Sequence, residues 1–546
     1  MENLAIFKRS RIWLLILLLM VAIGVRIPGL VSRAIWYDES ITLLETAGHA
    51  IPNWPQQPIP ASIAQEKFEG TPTFVKLADD LRRTDVHPPV YYWLLSLWRR
   101  WLGFSIETAR LFSLICSIGT VLSLYCLLKA GKFEQSFVPT LVYALSTGAV
   151  LMGHEARAYA LASLFIGLGA LFAYLASEMT SERNSRQVVH KSRSDNKSRL
   201  VIYAVAMALC CGVAFQTNYL ALFPVSIILL WFVIYLWSTL RLLTLFFPMM
   251  AVSIWLIGFP SFLTQLSARP QAAAGFIGFL PEVGKILKMN IGVVWTPIFD
   301  SSGLTVVFGG VLIVLLGTSF RQILGYWSNT NRKLLLLLLG LALSPSVGLF
   351  LMDVLSDKNL NAYRYLLFAG PALTALLTYG LTHSRPVGLP ARLFARVPSR
   401  FPVRLTGRKI LLLVLLGLQL IGINWGTERT RGWGGSHFRS LASTIQASSS
   451  ASTIVVIDAG GGRGYAGPVV YELAPTTMVS FLLKDSTVSE MYASLQQYDD
   501  IWLLYSSASK TAELKRDLLN ELEKAGYRTQ QQSAQGKPLH LSRTPQ

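Results

Sequence analysis

The sequence predicts a polytopic helical membrane protein that carries a small α/β domain at its C-terminal end. The chain has 546 residues, of which 52% are hydrophobic and 14% are charged, and its mean hydropathy is +0.44. A soluble globular protein of this length carries roughly a quarter charged residues. Long apolar windows fill the chain up to residue 425, and short alternating strand and helix patterns follow them.

Eleven apolar windows are long enough to cross a bilayer, and we expect this all-α membrane part to contain about 11–13 helices. The windows cover residues 12–31, 108–128, 136–153, 157–177, 200–216, 219–238, 242–262, 303–319, 333–352, 363–382 and 409–425. Segment 88–103 is apolar but short, and it ends in two arginines. Because a span there would place the basic segment 178–199 outside, we interpret 88–103 as a helix at the outer interface.

The basic residues set the predicted orientation. The net charge is +19, from 49 Lys and Arg against 30 Asp and Glu. Three segments are strongly basic: the residues before position 12, residues 178–199 and residues 384–409. This distribution is typical of cytoplasmic segments beside anionic lipid, so we infer no nucleic-acid partner. The first loop (32–107) then faces outside, and we expect an integral protein of the plasma (inner) membrane.

The predicted domains are a multi-spanning domain, 1–425, which includes the first loop, and an extracytoplasmic α/β domain, 426–546. In the latter, TIVVIDAG (453–460) and DIWLLY (500–505) read as buried strands, and residues 510–525 as a helix closed by Gly526. The glycine-rich run 459–467 lacks the Lys–Ser/Thr pair of a P-loop and a clean G-x-G-x-x-G, so we interpret it as a flexible turn.

Polar groups that lie near a bilayer are often functional. Two adjacent acids follow the first span within IWYDES (35–40), and the predicted topology brings further charged residues to the same outer side. Taken alone, the acids could equally solubilise the loop, and arginines such as Arg26 and Arg110 commonly snorkel to lipid headgroups. Arg364 lies two residues inside a predicted span, where it needs an anionic partner.

Five segments that contain these residues occur in a fixed order along the chain. They are RIPGLVSRAIWYDES (26–40), DVHPPVYYWLL (85–95), TARLFS (108–113), GHEARAYAL (153–161) and NAYRYLLFAGPAL (361–373). In order and approximate spacing they resemble the motif series of family 39-like GT-C glycosyltransferases. That group is similar to protein O-mannosyltransferases and to the aminoarabinose transferase of lipid A. The resemblance covers residues 1–380, and the C-terminal domain matches by position alone.

The resemblance implies an enzyme: an inverting hexosyl- or pentosyltransferase that uses a polyprenyl-phosphate donor at the outer face of the membrane. The acceptor is a hydroxyl group of a glycan, lipid or protein. Asp38 matches the catalytic base, Glu39 its acidic neighbour and Arg364 the arginine at the lipid phosphate. The residues predicted to bind the donor phosphate or the substrate are Arg26, His87, Arg110, Glu155, Arg157, Tyr219 and Arg364.

No organic cofactor is expected, because the donor already carries its leaving group. A divalent metal is allowed, and its candidate ligands are Asp38, Glu39, Asp85 and His87. The sequence departs from the family here. Val86 stands where aminoarabinose-type members carry an acid that takes part in metal binding, and Asp85 lies one position earlier.

Two alternatives come from other functional classes. A transporter or flippase for lipid-linked glycans would also carry membrane arginines and acids, but it is expected to show repeated halves and sites at the membrane midplane. A structural or sensory protein would act through its C-terminal domain. We find no internal repeat in the sequence, which favours the transferase.

Overall fold

The computed structural model describes residues 2–85, 87–133, 136–185, 192–267, 331–356, 363–383, 435–459, 463–505, 512–531 and 538–543, with 289, 290, 317, 416, 417 and 419. The chain forms two compact units. The helical unit comprises Met1–Leu30, Val86–Tyr91 and Arg110–Thr430. The α/β unit comprises Val31–Asp85, Tyr92–Ala109 and Arg431–Gln546.

Most of the described residues are helical. In chain order the helices are α1 (Glu2–Gly24), α2 (Ile27–Ser32), α3 (Tyr37–Thr46), α4 (Ala61–Gln65), α5 (Phe74–Thr84), α6 (Val90–Leu102), α7 (Ile106–Ala130), α8 (Phe137–Ala144), α9 (Thr147–His154), α10 (Tyr159–Ser185), α11 (Ser192–Phe215), α12 (Leu222–Leu240), α13 (Leu242–Ser267), α14 (Asn331–Ser356), α15 (Gly370–His383), α16 (Gly435–Ser448), α17 (Arg463–Glu472), α18 (Val488–Leu495) and α19 (Ala512–Lys524). Short 3₁₀ helices lie at Glu66–Phe68, Tyr219–Ala221 and Tyr363–Ala369.

Six described helical segments are long and apolar enough to cross a membrane, which confirms a polytopic helical membrane protein. They are Ile12–Ser32, Ile106–Ala130, Tyr159–Thr180, Lys197–Phe215, Tyr219–Trp237 and Arg332–Met352. Each coincides with a predicted window. The predicted windows 303–319 and 409–425 lie outside the described residues, apart from four isolated positions. Segment 88–103 forms α6, whose 13 residues are too few to span.

The predicted span 136–153 is divided into α8 and α9, which meet at an angle of 55°. Ser146 divides it, because its side chain caps α9 rather than continuing the helix. The hydroxyl accepts the Ala149 N–H at 3.4 Å and donates to the Tyr143 carbonyl at 2.7 Å. If this pair is one span, the described residues contain seven.

The predicted span 363–382 also differs from one continuous α-helix. It begins with the 3₁₀ helix Tyr363–Ala369 and continues as α15. A 3₁₀ helix rises about 2.0 Å per residue and an α-helix about 1.5 Å, so the first seven residues of this segment are more extended than an α-helix would be. Arg364 therefore lies on a 3₁₀ turn.

The α/β unit is built on a six-stranded sheet with the strand order β1-β3-β2-β4-β6-β5. The strands are β1 (Ile59–Pro60), β2 (Thr453–Asp458), β3 (Met478–Leu482), β4 (Asp500–Leu504), β5 (Tyr527–Gln531) and β6 (Leu539–Arg543). Strands β3, β2 and β4 are parallel, and β2 and β4 confirm the strands predicted from the sequence. The predicted C-terminal helix is α19, and Gly526 follows it with a φ of +90°, as helix ends favour.

The first loop supplies the edge strand β1 of this sheet. Ile59 and Pro60 pair with β3 in antiparallel register, and the Ala61 N–H donates to the Thr477 carbonyl at 2.8 Å. The Ser480 hydroxyl donates to a carbonyl of the same loop, that of Gln56, at 2.6 Å. Backbone bonds therefore join the first loop to the C-terminal segment.

The units change at Thr430 and Arg431, close to the boundary predicted near residue 425, but the first loop belongs to a different unit from the one predicted. The prediction places loop 32–107 with the spans, whereas in the structure residues 31–85 and 92–109 pack with residues 431–546. The physical reason is that a strand of two residues has no alternation by which the sequence could reveal it.

Arg99 ties α6 to the other elements of the α/β unit. Its side chain is fully buried. It donates to the carbonyls of Leu43 at 2.8 Å, Phe68 at 2.6 Å and Phe104 at 2.9 Å, and also to the Thr46 hydroxyl. The last turn of α3, the 3₁₀ turn that ends at Phe68 and the start of α7 are thus held by one side chain.

We expect Arg99→Met to lower the free energy of unfolding by about 3 kcal/mol, because each buried carbonyl left without a donor costs about 1–3 kcal/mol. Thermal unfolding of the purified protein in detergent measures the change. The matched control is Arg100→Met, since Arg100 is exposed on the same helix. Equal midpoints for the two variants would contradict the role of Arg99.

Candidate functional site

Helix α3 carries the two predicted catalytic acids in its first turn. Trp36 is the N-cap residue, and the Glu39 carboxylate accepts the Trp36 N–H at 3.4 Å, which is half of a capping box. Glu39 is fully buried, whereas Asp38 is 8% exposed. The positive end of the helix dipole stabilises negative charge at both positions. The Glu39 carboxylate is therefore engaged by the backbone of its own helix turn.

Cations bind the opposite end of α3. Arg99 donates to a carbonyl of the last turn, and Lys76 Nζ donates to the Gly48 carbonyl at 2.8 Å. Positive charge at a helix C-terminus complements the dipole. Burial, with smaller contributions from the charges of Lys67 and Lys76, lowers the pKa of His49 below its usual 6.5. His49 is therefore neutral at pH 7, and the charge at this end of α3 comes from Arg99 and Lys76.

In the helical unit the structure brings together three buried residues, His87, Arg157 and Tyr159, which we call the His87 cluster. Arg157 Nη2 lies 3.4 Å from His87 Nδ1. Because a guanidinium can only donate, Nδ1 is the acceptor in this contact. The His87 ring meets the Tyr159 ring edge to face, with 6.1 Å between centroids.

The chain segment that carries His87 is tied to the end of α11. The Val90 N–H donates to the Gln216 carbonyl at 3.1 Å. Two residues later Asn218 caps, through its side-chain oxygen, the 3₁₀ turn that begins at Tyr219. Tyr219 is 7% exposed. The predicted site residues His87 and Tyr219 are therefore held by two adjoining chain segments.

Arg364 lies on the 3₁₀ helix that packs against α9 and α10. Its guanidinium lies 5.5 Å from the centroid of the Tyr365 ring. Phe368, four residues further on, packs against Tyr159 with 6.5 Å between ring centroids. The 3₁₀ helix is thus in direct contact with the His87 cluster.

Arg26 is fully buried at the break between α1 and α2. Its Nη1 donates to the carbonyls of Ala22 at 2.8 Å and Ala144 at 3.0 Å, and its Nε donates to the Ser117 hydroxyl at 3.1 Å. These carbonyls end α1 and α8, and helix ends leave such acceptors without intrahelical donors. Among the described residues, Nη2 of Arg26 has no hydrogen-bond partner.

Two glycines allow α2 and α9 to approach closely. The His154 ring occupies the position that a Cβ of Gly29 would take, and a Cβ on Gly153 would lie 2.9 Å from Cδ of Arg26. Arg110, also fully buried, donates to the Leu30 carbonyl at 3.2 Å and so joins α7 to α2.

Glu155 and Arg157 share the turn between α9 and α10. The Arg157 N–H donates to the Glu155 carbonyl at 2.7 Å, and both side chains are buried. Glu155 is therefore held within two residues of the His87 cluster.

The four predicted metal ligands are divided between the two units: Asp38, Glu39 and Asp85 belong to the α/β unit and His87 to the helical unit. Among the described residues, no group of three or more His, Cys, Asp and Glu residues is arranged to hold an ion. Asp85 Oδ2 accepts the Tyr92 hydroxyl at 2.5 Å, and Glu39 caps α3.

Sequence reasoning missed the buried position of Arg99, although a signal for it exists. Tyr92, Leu95 and Ser96 precede it by seven, four and three residues, and all are buried. Positions at this spacing lie on one helix face, so Arg99 belongs to the inner face of α6 and Arg100 to the outer one. Tyr159 and Ser117 carried no comparable signal, because their partners are distant in the sequence.

No protein-family model matches this sequence and no curated protein matches it, so the comparisons rest on solved structures. ArnT from Cupriavidus metallidurans in the apo state is similar with a TM-score of 0.53 and 13% identity, over 98% of this chain and 100% of that chain. ArnT from the same organism, bound to undecaprenyl phosphate, gives a TM-score of 0.49 and 12% identity, over 97% of this chain and 99% of that chain. The oligosaccharyltransferase AglB from Archaeoglobus fulgidus, in complex with an inhibitory peptide and a dolichol-phosphate, gives a TM-score of 0.42 and 11% identity. The match covers 91% of this chain and 69% of that chain.

The apolar helices and this likeness define an integral membrane protein of the GT-C fold class. Within that class, the chain shares its fold with ArnT, the lipid A aminoarabinose transferase, over almost its whole length. The fold expected from the ordered motifs is therefore confirmed.

Gly29→Ala tests the packing around Arg26 and His154. In an open helical position this change stabilises by up to about 1 kcal/mol, but here the new methyl overlaps the imidazole, and overpacking costs about 1–3 kcal/mol. We expect a lower thermal midpoint for the purified protein. Gly24→Ala is the control, since no heavy atom other than those of its chain neighbours and its own helix backbone lies within 4 Å of its Cβ position. A Gly29→Ala midpoint at or above that of Gly24→Ala would show that α2 does not pack as described.

Proposed function

We propose that this protein is an inverting glycosyltransferase that moves a sugar from a polyprenyl-phosphate donor to a hydroxyl group of a glycan, lipid or protein acceptor. One observation carries the proposal: in the helical unit the His87 cluster, which holds the buried Arg157 guanidinium, adjoins an apolar cleft. A polyprenyl-phosphate donor has the same two parts, an anionic phosphate and a long apolar chain.

The cleft lies between α7, α10, α14 and α15, beside the 3₁₀ helix. Apolar side chains form most of its lining, among them Leu124, Ile166, Ala170, Leu341 and Phe368. Such a lining suits a stretch of isoprenyl chain, which gains free energy from burial without any polar partner.

Phe368 belongs to both features, because it lines the cleft and packs against Tyr159 of the His87 cluster. Arg364 lies four residues before it on the same 3₁₀ helix. A donor whose chain enters the cleft at Phe368 would bring its phosphate towards the His87 cluster, which holds Arg157. Arg364 is carried by the 3₁₀ helix that contacts this cluster.

The guanidinium groups supply the electrostatic part of the reaction. A guanidinium fork matches two phosphate oxygens, and it stabilises the charge that grows on the phosphate as the sugar leaves. We assign this role to Arg157 and Arg364. The remaining proposed donor or substrate contacts are Arg26, His87, Arg110, Glu155 and Tyr219.

The acids of α3 supply the base. As the acceptor oxygen attacks the anomeric carbon, its proton passes to the Asp38 carboxylate. The bond between the anomeric carbon and the phosphate oxygen breaks, and its electron pair leaves with the polyprenyl phosphate. This single displacement inverts the anomeric centre. Glu39 acts on Asp38 indirectly, since it caps the turn that carries it.

The fold supports this assignment, since the ArnT fold is shared and ArnT has been crystallised with undecaprenyl phosphate. We place the active site and the α/β unit on the outer face of the plasma (inner) membrane, as the basic segments 178–199 and 384–409 indicate.

A lipid-linked glycan transporter is the alternative. The broken helix pair α8 and α9 fits it, because discontinuous helices also occur at transport sites. Purified protein in liposomes with a labelled polyprenyl-phosphate sugar separates the two functions. New glycosidic bonds in an added acceptor extract support transfer, and movement of label across the bilayer without new bonds supports transport.

We expect Asp38→Asn to lower kcat for sugar transfer by about 10²–10⁴-fold, because the amide cannot accept the acceptor proton. The measurement is transfer from a radiolabelled donor by equal amounts of folded protein. Asp79→Asn is the matched control, since Asp79 is an exposed acid of α5 that pairs with Arg82. Turnover by Asp38→Asn equal to that of the control would exclude Asp38 as the base.

Ala170→Leu narrows the cleft and should raise the KM for a long-chain donor several-fold, while a farnesyl-phosphate donor, whose chain is much shorter, is little affected. The control is Ala206→Leu on α11, a partly exposed position outside the lining. An equal change in KM for both donors would show that the cleft does not bind the isoprenyl chain.

A further inference from the structure

Helix α17 of the C-terminal segment contacts the acid-bearing part of the first loop within the α/β unit. Its residue Gly467 faces α3, where a Cβ would lie 2.8 Å from the Ser40 hydroxyl and 3.1 Å from Ser40 Cβ. Ser40 follows the two acids directly. Glycine at 467 is therefore what lets α17 lie so close to the first turns of α3.

The last residue of α17 binds the segment that leads into α3. Glu472 Oε1 accepts the Ile35 N–H at 2.9 Å. Ile35 lies three residues before Asp38 and is fully buried. The carboxylate of Glu472 thus fixes the backbone just ahead of the acids.

Arg439 of α16 completes this contact. Its Nε donates to Glu472 Oε2 at 2.9 Å and its Nη2 to Oε1 at 3.3 Å, the two-pronged geometry that guanidinium and carboxylate favour. The same guanidinium donates to the carbonyls of Ser32 at 2.8 Å and Arg33 at 3.3 Å. Arg439 and Glu472 together hold three backbone groups of residues 32–35.

Other residues of the same helix bind neighbouring parts of the unit. The Tyr471 hydroxyl accepts the Ile106 N–H at 3.0 Å, at the start of α7. Gln65 of α4 donates to the carbonyls of Val470 at 2.9 Å and Leu473 at 2.8 Å. Hydrogen bonds therefore join α17 to its neighbours in both directions: Tyr471 accepts from the start of α7, and Gln65 of the first loop donates to carbonyls at the end of α17.

We propose that Arg439 and Glu472 are positioning residues, through which the C-terminal α/β segment sets the placement of Asp38 for proton transfer. The proposal rests on the proposed function, because it takes Asp38 as the base. It gives the C-terminal segment a task in the reaction that requires no substrate contact. Neither residue belongs to the motifs that carry the family resemblance, which ends before residue 380.

The test uses full-length protein with Glu472→Ala, Glu472→Gln and Arg439→Lys. Glu472→Ala removes both contacts, Glu472→Gln keeps an oxygen for the Ile35 N–H, and Arg439→Lys keeps the charge but loses the fork. Since a displacement of about 1 Å in a reacting group costs up to 10²-fold in rate, we expect Glu472→Ala to lower kcat by about 10–100-fold. Glu472→Gln and Arg439→Lys should lie between it and wild type.

A second readout is independent of catalysis. Hydrogen exchange, followed by mass spectrometry, should show residues 33–40 exchanging about tenfold faster in Glu472→Ala, with β2 and β4 as slow as in wild type. The KM for the donor should stay within about twofold, because the base acts after the donor is bound. Arg516→Gln, in an exposed pair with Asp517 on α19, is the matched control.

The outcomes distinguish the positioning role of Arg439 and Glu472 from the proposed glycosyltransferase function. Unchanged exchange at 33–40, or wild-type kcat in Glu472→Ala, overturns the positioning role. A uniform rise in exchange over β2 and β4 also overturns it, because the residue would then stabilise the whole unit. A wild-type protein that forms no glycosidic bond overturns the proposed function, whereas the exchange experiment still decides whether residues 32–35 are held as described.

Discussion

Hydrogen bonds from arginine to backbone carbonyl groups hold the functional segments of this protein in place. Arg26 binds the ends of α1 and α8, Arg99 binds the end of α3 together with the residues Phe68 and Phe104, and Arg439 binds residues 32 and 33. A guanidinium offers five donors in one plane, whereas helix ends and irregular segments offer carbonyls that lack a donor. One side chain can therefore join three chain segments. The positions of α3, which carries the two acids, and of the broken span formed by α8 and α9 both depend on hydrogen bonds of this kind.

The groups that the proposed reaction needs belong to two different compact units. The α/β unit holds the acids on α3, and the helical unit holds the His87 cluster and the apolar cleft. Along the chain, boundaries between the units fall near these residues. The boundary between residues 30 and 31 precedes Asp38, and the boundary between residues 85 and 86 precedes His87. The first loop is thus a structural part of the α/β unit, although the motifs that it contains belong to the series that resembles the GT-C glycosyltransferases. Its edge strand and the Arg439–Glu472 contact join the loop that carries the proposed base to the C-terminal segment.

The sequence predicted the features that depend on local pattern. Apolar length gave the spans at 12–31 and 333–352, and buried β-rich runs gave β2 and β4, because burial on both faces leaves a continuous apolar run. Features that depend on partners far along the chain were not predictable in the same way. Ser146 breaks a helix whose apolar length is sufficient for one span, and Arg364 lies on a 3₁₀ helix within a window that predicts an α-helix. For the site, the sequence placed His87, Arg157 and Arg364 on one side, but their connection through Tyr159 and Phe368 required tertiary contacts. The same holds for Glu472, which has no signal in its own segment.

The break between α8 and α9 has a consequence for biosynthesis. The carbonyl of Ala144, the last residue of α8, receives a hydrogen bond from Arg26. In hydrocarbon a backbone carbonyl without a donor costs several kcal/mol, so this donor stabilises the bend in a membrane. Arg26 precedes the break in the chain, and chains are synthesised and inserted from the N-terminus. The arginine that the bend uses therefore leaves the ribosome before the bend itself.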